Sequence, residues 1–378
     1  MGDPCQKMVP EQNLIGPSAP RIVFLAGTLG LGGAERQLFY QSLAWRRLGA
    51  SVRVISFRGD YWEGLLREAG AEVISLARFK TPVSRVLAIA RELKRRPAEV
   101  LQSCHFFVNP HAILAARLAG IPEVCAVRSS VSAELRKLPW LVRSATLNAA
   151  RWIACNSRAA MDEARARGIP DPRLLYCPNA VDRKVFHPPA VQAATRWRPR
   201  ILGIGRLVPE KRFDRFLRIV AAVRQTRDVE AVLVGDGCLR GELEDQAASL
   251  GLMSPAFRFE PATRNVPEIY RNATLLLQTS ETEGLSNVSL EAMASGLPVV
   301  AANSGGTVEA VDHGVTGFLV DGEDLAEYQR RILSILDDSS QALRMGRCGL
   351  ERIARDYCLE RLPGRLEKMY QRVLPTDP

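Results

Sequence analysis

Short apolar, β-branched runs alternate along this chain with longer segments of helical periodicity, and they do so in two series. The first comprises residues 21–26, 51–57, 72–76, 99–103, 123–127 and 152–155; the second comprises 200–205, 231–234, 274–279, 297–302 and 318–320. Strands that are apolar on both faces need cover on both, and connections long enough to hold a helix let neighbouring strands run parallel. The pattern therefore predicts an α/β protein with two doubly wound parallel sheets in tandem. A length of 378 residues exceeds what one core usually organises and agrees with two domains. The stretch 176–189, which contains Pro178, Pro188 and Pro189 and few periodic apolar positions, is the expected hinge. The expected division is an N-terminal extension over 1–20, one domain over 21–180, a second over 181–358, and a C-terminal helix and tail over 359–378 whose docking the pattern leaves open.

Charge separates the halves. Residues 1–180 carry 25 Lys and Arg against 14 Asp and Glu, while residues 181–378 carry 26 against 27. The basic excess of the first half points to a partner of opposite sign, an anionic membrane surface or nucleic acid. Two stretches suit a membrane surface. Between 78 and 96, Arg78, Lys80, Arg85, Arg91, Lys94, Arg95 and Arg96 accompany one acid, Glu92, and apolar Val83, Val86, Leu87, Ala90 and Leu93. Between 135 and 152, Trp140, Leu141 and Val142 accompany Arg136, Lys137 and Arg143. The basic segments lack interleaved aromatics and no nucleic-acid module is present, so no nucleic-acid partner is expected, and a basic nucleic-acid-binding protein is the rival from another class. Residues 1–20 lack the apolar core of a signal peptide, and nowhere do about 18 apolar residues follow one another. A cytoplasmic protein, peripheral on the cytoplasmic face of a membrane, is expected. The eight cysteines are scattered, with no CxxC pair, and read as reduced thiols rather than metal ligands.

The motifs that carry chemistry lie at strand ends. Thr28–Leu29–Gly30–Leu31–Gly32–Gly33–Ala34–Glu35–Arg36 is a glycine-rich turn leading into a helix, where backbone amides can approach a phosphate closely. In Gly205–Arg206–Leu207–Val208–Pro209–Glu210–Lys211, Arg206 leaves a strand and Lys211 precedes a helix with Phe213, Phe216, Leu217 and Val220 on its buried face, so two cations can converge on one diphosphate. The segment from Glu283 through Gly284, Leu285, Ser286 and Asn287 to Glu291 places one carboxylate in a loop and another in a helix expected over 287–295, with Gly296 ending it. Over a continuous helix that spacing would span ~12 Å, which suits the two ends of a long ligand. A carboxylate pair flanking one glycosidic bond is the competing chemical reading.

Taken in order, these motifs resemble the retaining glycosyltransferases of family GT4, which have the GT-B fold: two Rossmann-like doubly wound domains facing a cleft. The likeness covers nearly the whole chain and includes Pro178–Asn179–Ala180–Val181–Asp182, Val234–Gly235–Asp236–Gly237, Gly305–Gly306–Thr307–Val308–Glu309 and Gly314–Val315–Thr316–Gly317–Phe318. It implies that the C-terminal half binds a UDP-, GDP- or ADP-sugar donor without an obligatory metal. Arg206 and Lys211 would neutralise the diphosphate, with the 284–287 loop facing it. Glu291 would bind the ribose, Glu283 would contact the transferred sugar, Gly32 and Gly33 would close over the phosphates, and His105 would stand beside the donor sugar. The implied acceptor is a glycan or lipid-linked saccharide. A covalent role for Glu283, and a GT-B epimerase or phosphorylase activity, remain as alternatives. Three positions depart from the family pattern: Ala180 and Arg212 stand where glycine is common, and so does Glu260 at a strand end.

Overall fold

The computed structural model describes residues 19–136, 138–189 and 198–374. The first sheet has seven strands: β1 (Arg21–Ala26), β2 (Ser51–Ser56), β3 (Glu72–Ser75), β4 (Val100–Ser103), β5 (Glu123–Val127), β6 (Trp152–Cys155) and β7 (Leu174–Tyr176), in the order β3-β2-β1-β4-β5-β6-β7. The second has six: β8 (Arg200–Ile204), β9 (Glu230–Val234), β10 (Phe257–Glu260), β11 (Leu275–Gln278), β12 (Val299–Ala302) and β13 (Gly317–Val320), in the order β10-β9-β8-β11-β12-β13. All pairings are parallel. The strand order reverses between β1 and β4 and again between β8 and β11, and such switch points open the crevices where open α/β sheets bind ligands.

Two strands, β7 and β10, go beyond the pattern read from the sequence. Both are short edge strands. The C-terminal segment, whose docking was open, is a 3₁₀ turn at Leu359–Arg361 followed by a helix at Leu362–Tyr370. It packs on the first half: Leu362, Leu366, Met369, Tyr370 and Val373 share a core with Ile22, Phe24 and Trp45. Tyr370 is fully buried, edge-on to Trp45 at 4.7 Å, and its hydroxyl donates to Gln102.

The chain therefore passes between the halves twice, near one point. Val181 and Cys358 form a parallel bridge, with Val181 N donating to Tyr357 O at 2.8 Å and Leu359 N donating to Val181 O at 2.9 Å. The expected hinge contains this paired crossing.

Candidate functional site

At the first switch point, His105 follows β4 and faces the glycine-rich turn after β1. Its Nδ1 accepts from Gly27 N at 3.2 Å, which leaves the proton on Nε2, 3.1 Å from Glu35 Oε1. Phe107 stacks on the imidazole at 5.3 Å and is 47% exposed. His105 is thus oriented from both ring nitrogens at the cleft. Gly33 is the first residue of the Gly33–Arg47 helix, with Gly32 as its N-cap. A Cβ on Gly33 would stand 2.3 Å from the Asn287 side-chain nitrogen of the other half.

At the second switch point, Arg206 follows Gly205 beyond β8, exposed and without an ion-pair partner among the described residues. Lys211 ends a single 3₁₀ turn at Pro209–Lys211. Its aliphatic stem lies 3.7 Å from where a Cβ on Gly205 would be, and its ammonium is bonded to Glu283. The expected cation and the expected sugar-binding carboxylate therefore meet directly. Arg212, which stands where the family commonly has glycine, takes a left-handed φ of 49°, the one such value for a non-glycine residue among those described. Asp214 anchors its guanidinium at 2.9 Å.

The helix expected over 287–295 spans Asn287–Ala294. Ser286 caps it by accepting from Ser289 N at 3.3 Å, and its hydroxyl donates to Gln278 at 2.9 Å. Leu285 is buried in the core of the second half. The side chains of Ser286 and Leu285 are thus occupied by the fold, and what they offer a ligand is backbone. Gly284 is closely enclosed: a Cβ there would lie 2.5 Å from Arg128 O and 2.4 Å from Asn156 Oδ1.

Glu291 is buried. One of its oxygens is bonded to the Arg36 guanidinium of the first half, and the other accepts from Tyr270 at 3.0 Å. Burial disfavours the charge on Arg36, but Glu291, Tyr40 and Tyr270 outweigh it and raise its pKa. Burial, followed by the Glu291 carboxylate, pushes the Tyr270 hydroxyl well above its ordinary range. Arg36 was legible only as the residue after Gly32–Gly33–Ala34–Glu35, with nothing to mark its partner.

Further residues join the halves; Gln37, Tyr176 and Arg158 carried no signal in the sequence, whereas Asn179, Ala180, Asn287 and Glu309 lie in the motifs quoted above. Gln37 holds Ala180 through both backbone groups, at 2.9 and 2.8 Å, and donates to Asn287 Oδ1 at 2.9 Å. Asn179 donates to Leu285 O at 2.7 Å. Glu309 accepts from Tyr176 at 2.5 Å and from Arg158 N at 2.6 Å. The departure at Ala180 is accommodated because its contacts to Gln37 are made by backbone.

The family of glycosyl transferases designated Glycosyltransferase Family 4 matches residues 31–185, and the one designated Glycosyl transferases group 1 matches residues 198–338. The chain belongs to these glycosyltransferases. Within the family, it is 32% identical over 213 residues to the GDP-mannose-dependent alpha-(1-6)-phosphatidylinositol monomannoside mannosyltransferase of Mycobacterium tuberculosis, covering 52% of this chain and 55% of that one. It is 28% identical over 276 residues to a GDP-mannose-dependent alpha-mannosyltransferase of Corynebacterium glutamicum, covering 68% and 63%. The chain spans little more than half the length of the first of these relatives. A crystal structure of Anabaena Alr3699/HepE in complex with UDP and glucose shares the GT-B fold, with a TM-score of 0.81, 21% identity, and coverage of 93% of this chain and 99% of that one.

Proposed function

We propose that the chain transfers a sugar from a nucleotide-sugar donor to a glycan or lipid-linked acceptor with retention at the anomeric carbon. The observation that carries this reading is the meeting of the two switch points, with the Glu283–Lys211 pair and the 284–287 loop set against Gly33 and the carboxyl edge of the first sheet. The relatives that use GDP-mannose, and the similar structure that holds UDP and glucose, support a UDP-, GDP- or ADP-sugar as donor.

In this reading the bond between the anomeric carbon and the diphosphate oxygen breaks, and the nucleoside diphosphate leaves with the electron pair. The acceptor oxygen bonds to that carbon on the face just vacated, and its proton passes to the departing phosphate oxygen. Arg206, Lys211, the loop from Gly284 to Asn287, and Gly32 with Gly33 stabilise the charge developing on the leaving group, where fixed cations and helix amides act without a metal. Glu283 contacts the sugar, Glu291 the ribose, and His105 stands beside the transferred sugar. The domains divide at 180/181, and the C-terminal helix returns to the first of them.

No helix among the described residues is long and apolar enough to cross a membrane. A peripheral position on the cytoplasmic face accords with the surface of the Pro82–Arg95 helix, where Val83 and Leu87 are exposed and Arg91 and Lys94 are solvated. Ligand-induced stabilisation tests the central reading. UDP, GDP or ADP, or a sugar of one of them, at 100 times its Kd should add about 2.7 kcal/mol. No shift with any member of the panel overturns the reading. Release of nucleoside diphosphate only when an acceptor is present separates this reading from the epimerase and phosphorylase alternatives.

A further inference from the structure

The first half holds a guanidinium that no group in the described chain satisfies. Arg128 follows the last residue of β5 and is partly buried at the carboxyl edge of the sheet. Its Nε is sealed from solvent without a hydrogen bond, and no described residue accepts from its other nitrogens. Other arginines with an orphaned buried nitrogen keep a partner on another one: Arg215 donates to Glu323, Arg352 to Asp312 and the carbonyl of Glu309, and Arg365 to the carbonyl of Asp356. An unpaired charge withdrawn from water is costly unless some partner supplies acceptors.

The place of Arg128 indicates what that partner is. Its carbonyl accepts from Asn156 Nδ2 at 3.4 Å and lies 2.5 Å from where a Cβ on Gly284 would be, so its backbone abuts the loop that follows Glu283. Its charge reaches the ends of three strands. Burial pushes the thiols of Cys104 and Cys155 up to about 12 and raises that of Cys177, and Arg128 opposes the rise in each. Its backbone therefore stands at the carboxyl edge of the sheet, against the loop that follows Glu283. Across the seam Lys211 is neutralised by Glu283, whereas Arg206 has no ion-pair partner among the described residues. Arg128 and Arg206, one on each side of the cleft, thus have no ion-pair partner among the described residues.

We propose that Arg128 is a binding residue for the donor's diphosphate, the first half's counterpart to Arg206. This inference rests on the donor reading above. A guanidinium presents a planar fork of donors that matches phosphate oxygens, and it would complete its own hydrogen bonding only when the ligand is in place. Because negative charge on the leaving diphosphate grows as the bond breaks, Arg128 should favour the transition state more than the bound donor.

Calorimetry on the full chain with UDP, GDP and ADP, and with the corresponding nucleosides, tests the assignment. Arg128→Gln is expected to weaken the diphosphate that the native protein binds by about tenfold or more, with the nucleoside unaffected. Arg128→Lys should recover part of that loss, and it carries the test by itself if the glutamine variant does not fold. Native-like diphosphate affinity in a folded variant overturns the proposal while leaving the donor reading intact. If that variant instead loses association with phosphatidylglycerol vesicles, the phosphate belongs to a lipid surface and the proposal is again overturned. Failure of the native protein to bind any nucleoside diphosphate overturns both.

Discussion

Lys211 and Arg206 were read from the sequence as a like pair, and the structure gives them different histories before any ligand arrives. Lys211 is already bonded to Glu283, so a diphosphate must compete with that carboxylate; Arg206 is free of ion pairs among the described residues. Arg206→Ala is accordingly expected to weaken nucleoside diphosphate binding by roughly 1.5–3 kcal/mol, as loss of a charge-assisted contact should, and Lys211→Ala by less. Glu283→Gln should leave that affinity intact or raise it, by releasing the lysine, while lowering turnover. Calorimetry and initial rates on the same preparations check the three variants, and a fall in affinity for Glu283→Gln would contradict the arrangement. Glu291 differs again, because its charge is buried and answered by Arg36 from the other half. Removing Arg36 as Arg36→Met strands that carboxylate, with an expected loss of about 3 kcal/mol in unfolding free energy. Glu291→Ala should weaken the free nucleotide. Arg36 could not have been found from spacing, since 255 residues separate it from its partner.

Among the elements, the long apolar runs were legible and the short edges were not. The central strands β1, β4, β8 and β11 are buried because helices cover both faces, whereas β10 is only partly buried and β7 has three residues, too few to show a period. The helix at Asn287–Ala294 was recognisable from its flanking residues, as Ser286 caps it and Gly296 follows its end with a φ of 78°. What the sequence did not disclose was that the loop before this helix is wedged between the halves. Gly284→Ala is expected to abolish most activity while the second half stays folded, because the added methyl meets the Arg128 carbonyl, a backbone atom that cannot rotate away. Near-native turnover in that variant would show that the halves do not close as tightly. A helix terminus supplies a pH test. The carboxylate of Asp338 accepts from Gln341 N at 2.9 Å, a bond to backbone that holds its pKa below the ordinary aspartate range. A depressed folded pKa means the contribution is present above the unfolded value and is lost as pH falls through the folded one. The melting temperature of Asp338→Asn should therefore lie below that of the native protein at neutral pH, with the gap closing in acid.

Across the whole molecule, the last helix belongs to the half that begins the chain. Tyr370→Ala should cost about 3–5 kcal/mol, since it empties a fully buried site against Trp45 and takes a donor from the Gln102 side-chain oxygen. Differential scanning calorimetry would show whether the first half is the part that melts early. The basic surface is also narrower than its composition suggested. Of the seven basic residues between 78 and 96, Arg96 is tied to Glu72 and Glu92, Arg95 to Glu92, and Arg85 to the carbonyl of Phe79. Arg78 lies over the Phe79 ring at 4.8 Å, while Lys80, Arg91 and Lys94 stay exposed beside Val83 and Leu87 without such a contact among the described residues. Three such charges, at about 1 kcal/mol each, support weak reversible docking that salt should weaken steeply. Flotation with phosphatidylglycerol vesicles at low and high salt checks this, and no association at low salt would count against it. In the second basic stretch, the side chains of Trp140, Leu141 and Lys137 lie outside the described residues.

By itself, the sequence determined the two parallel sheets, their helical cover, and the positions of cations and carboxylates at strand ends. All of these follow from local periodicity and from chain direction within each strand. Only the tertiary structure decided which polar groups meet: Arg36 with Glu291, Lys211 with Glu283, Glu309 with the Tyr176 hydroxyl, and the Arg128 guanidinium with none among the described residues. It also decided that the final helix returns to the first core. Those pairings depend on how two separately folded halves are brought face to face, and a pattern repeating every two or 3.6 residues holds no record of distances between points hundreds of residues apart.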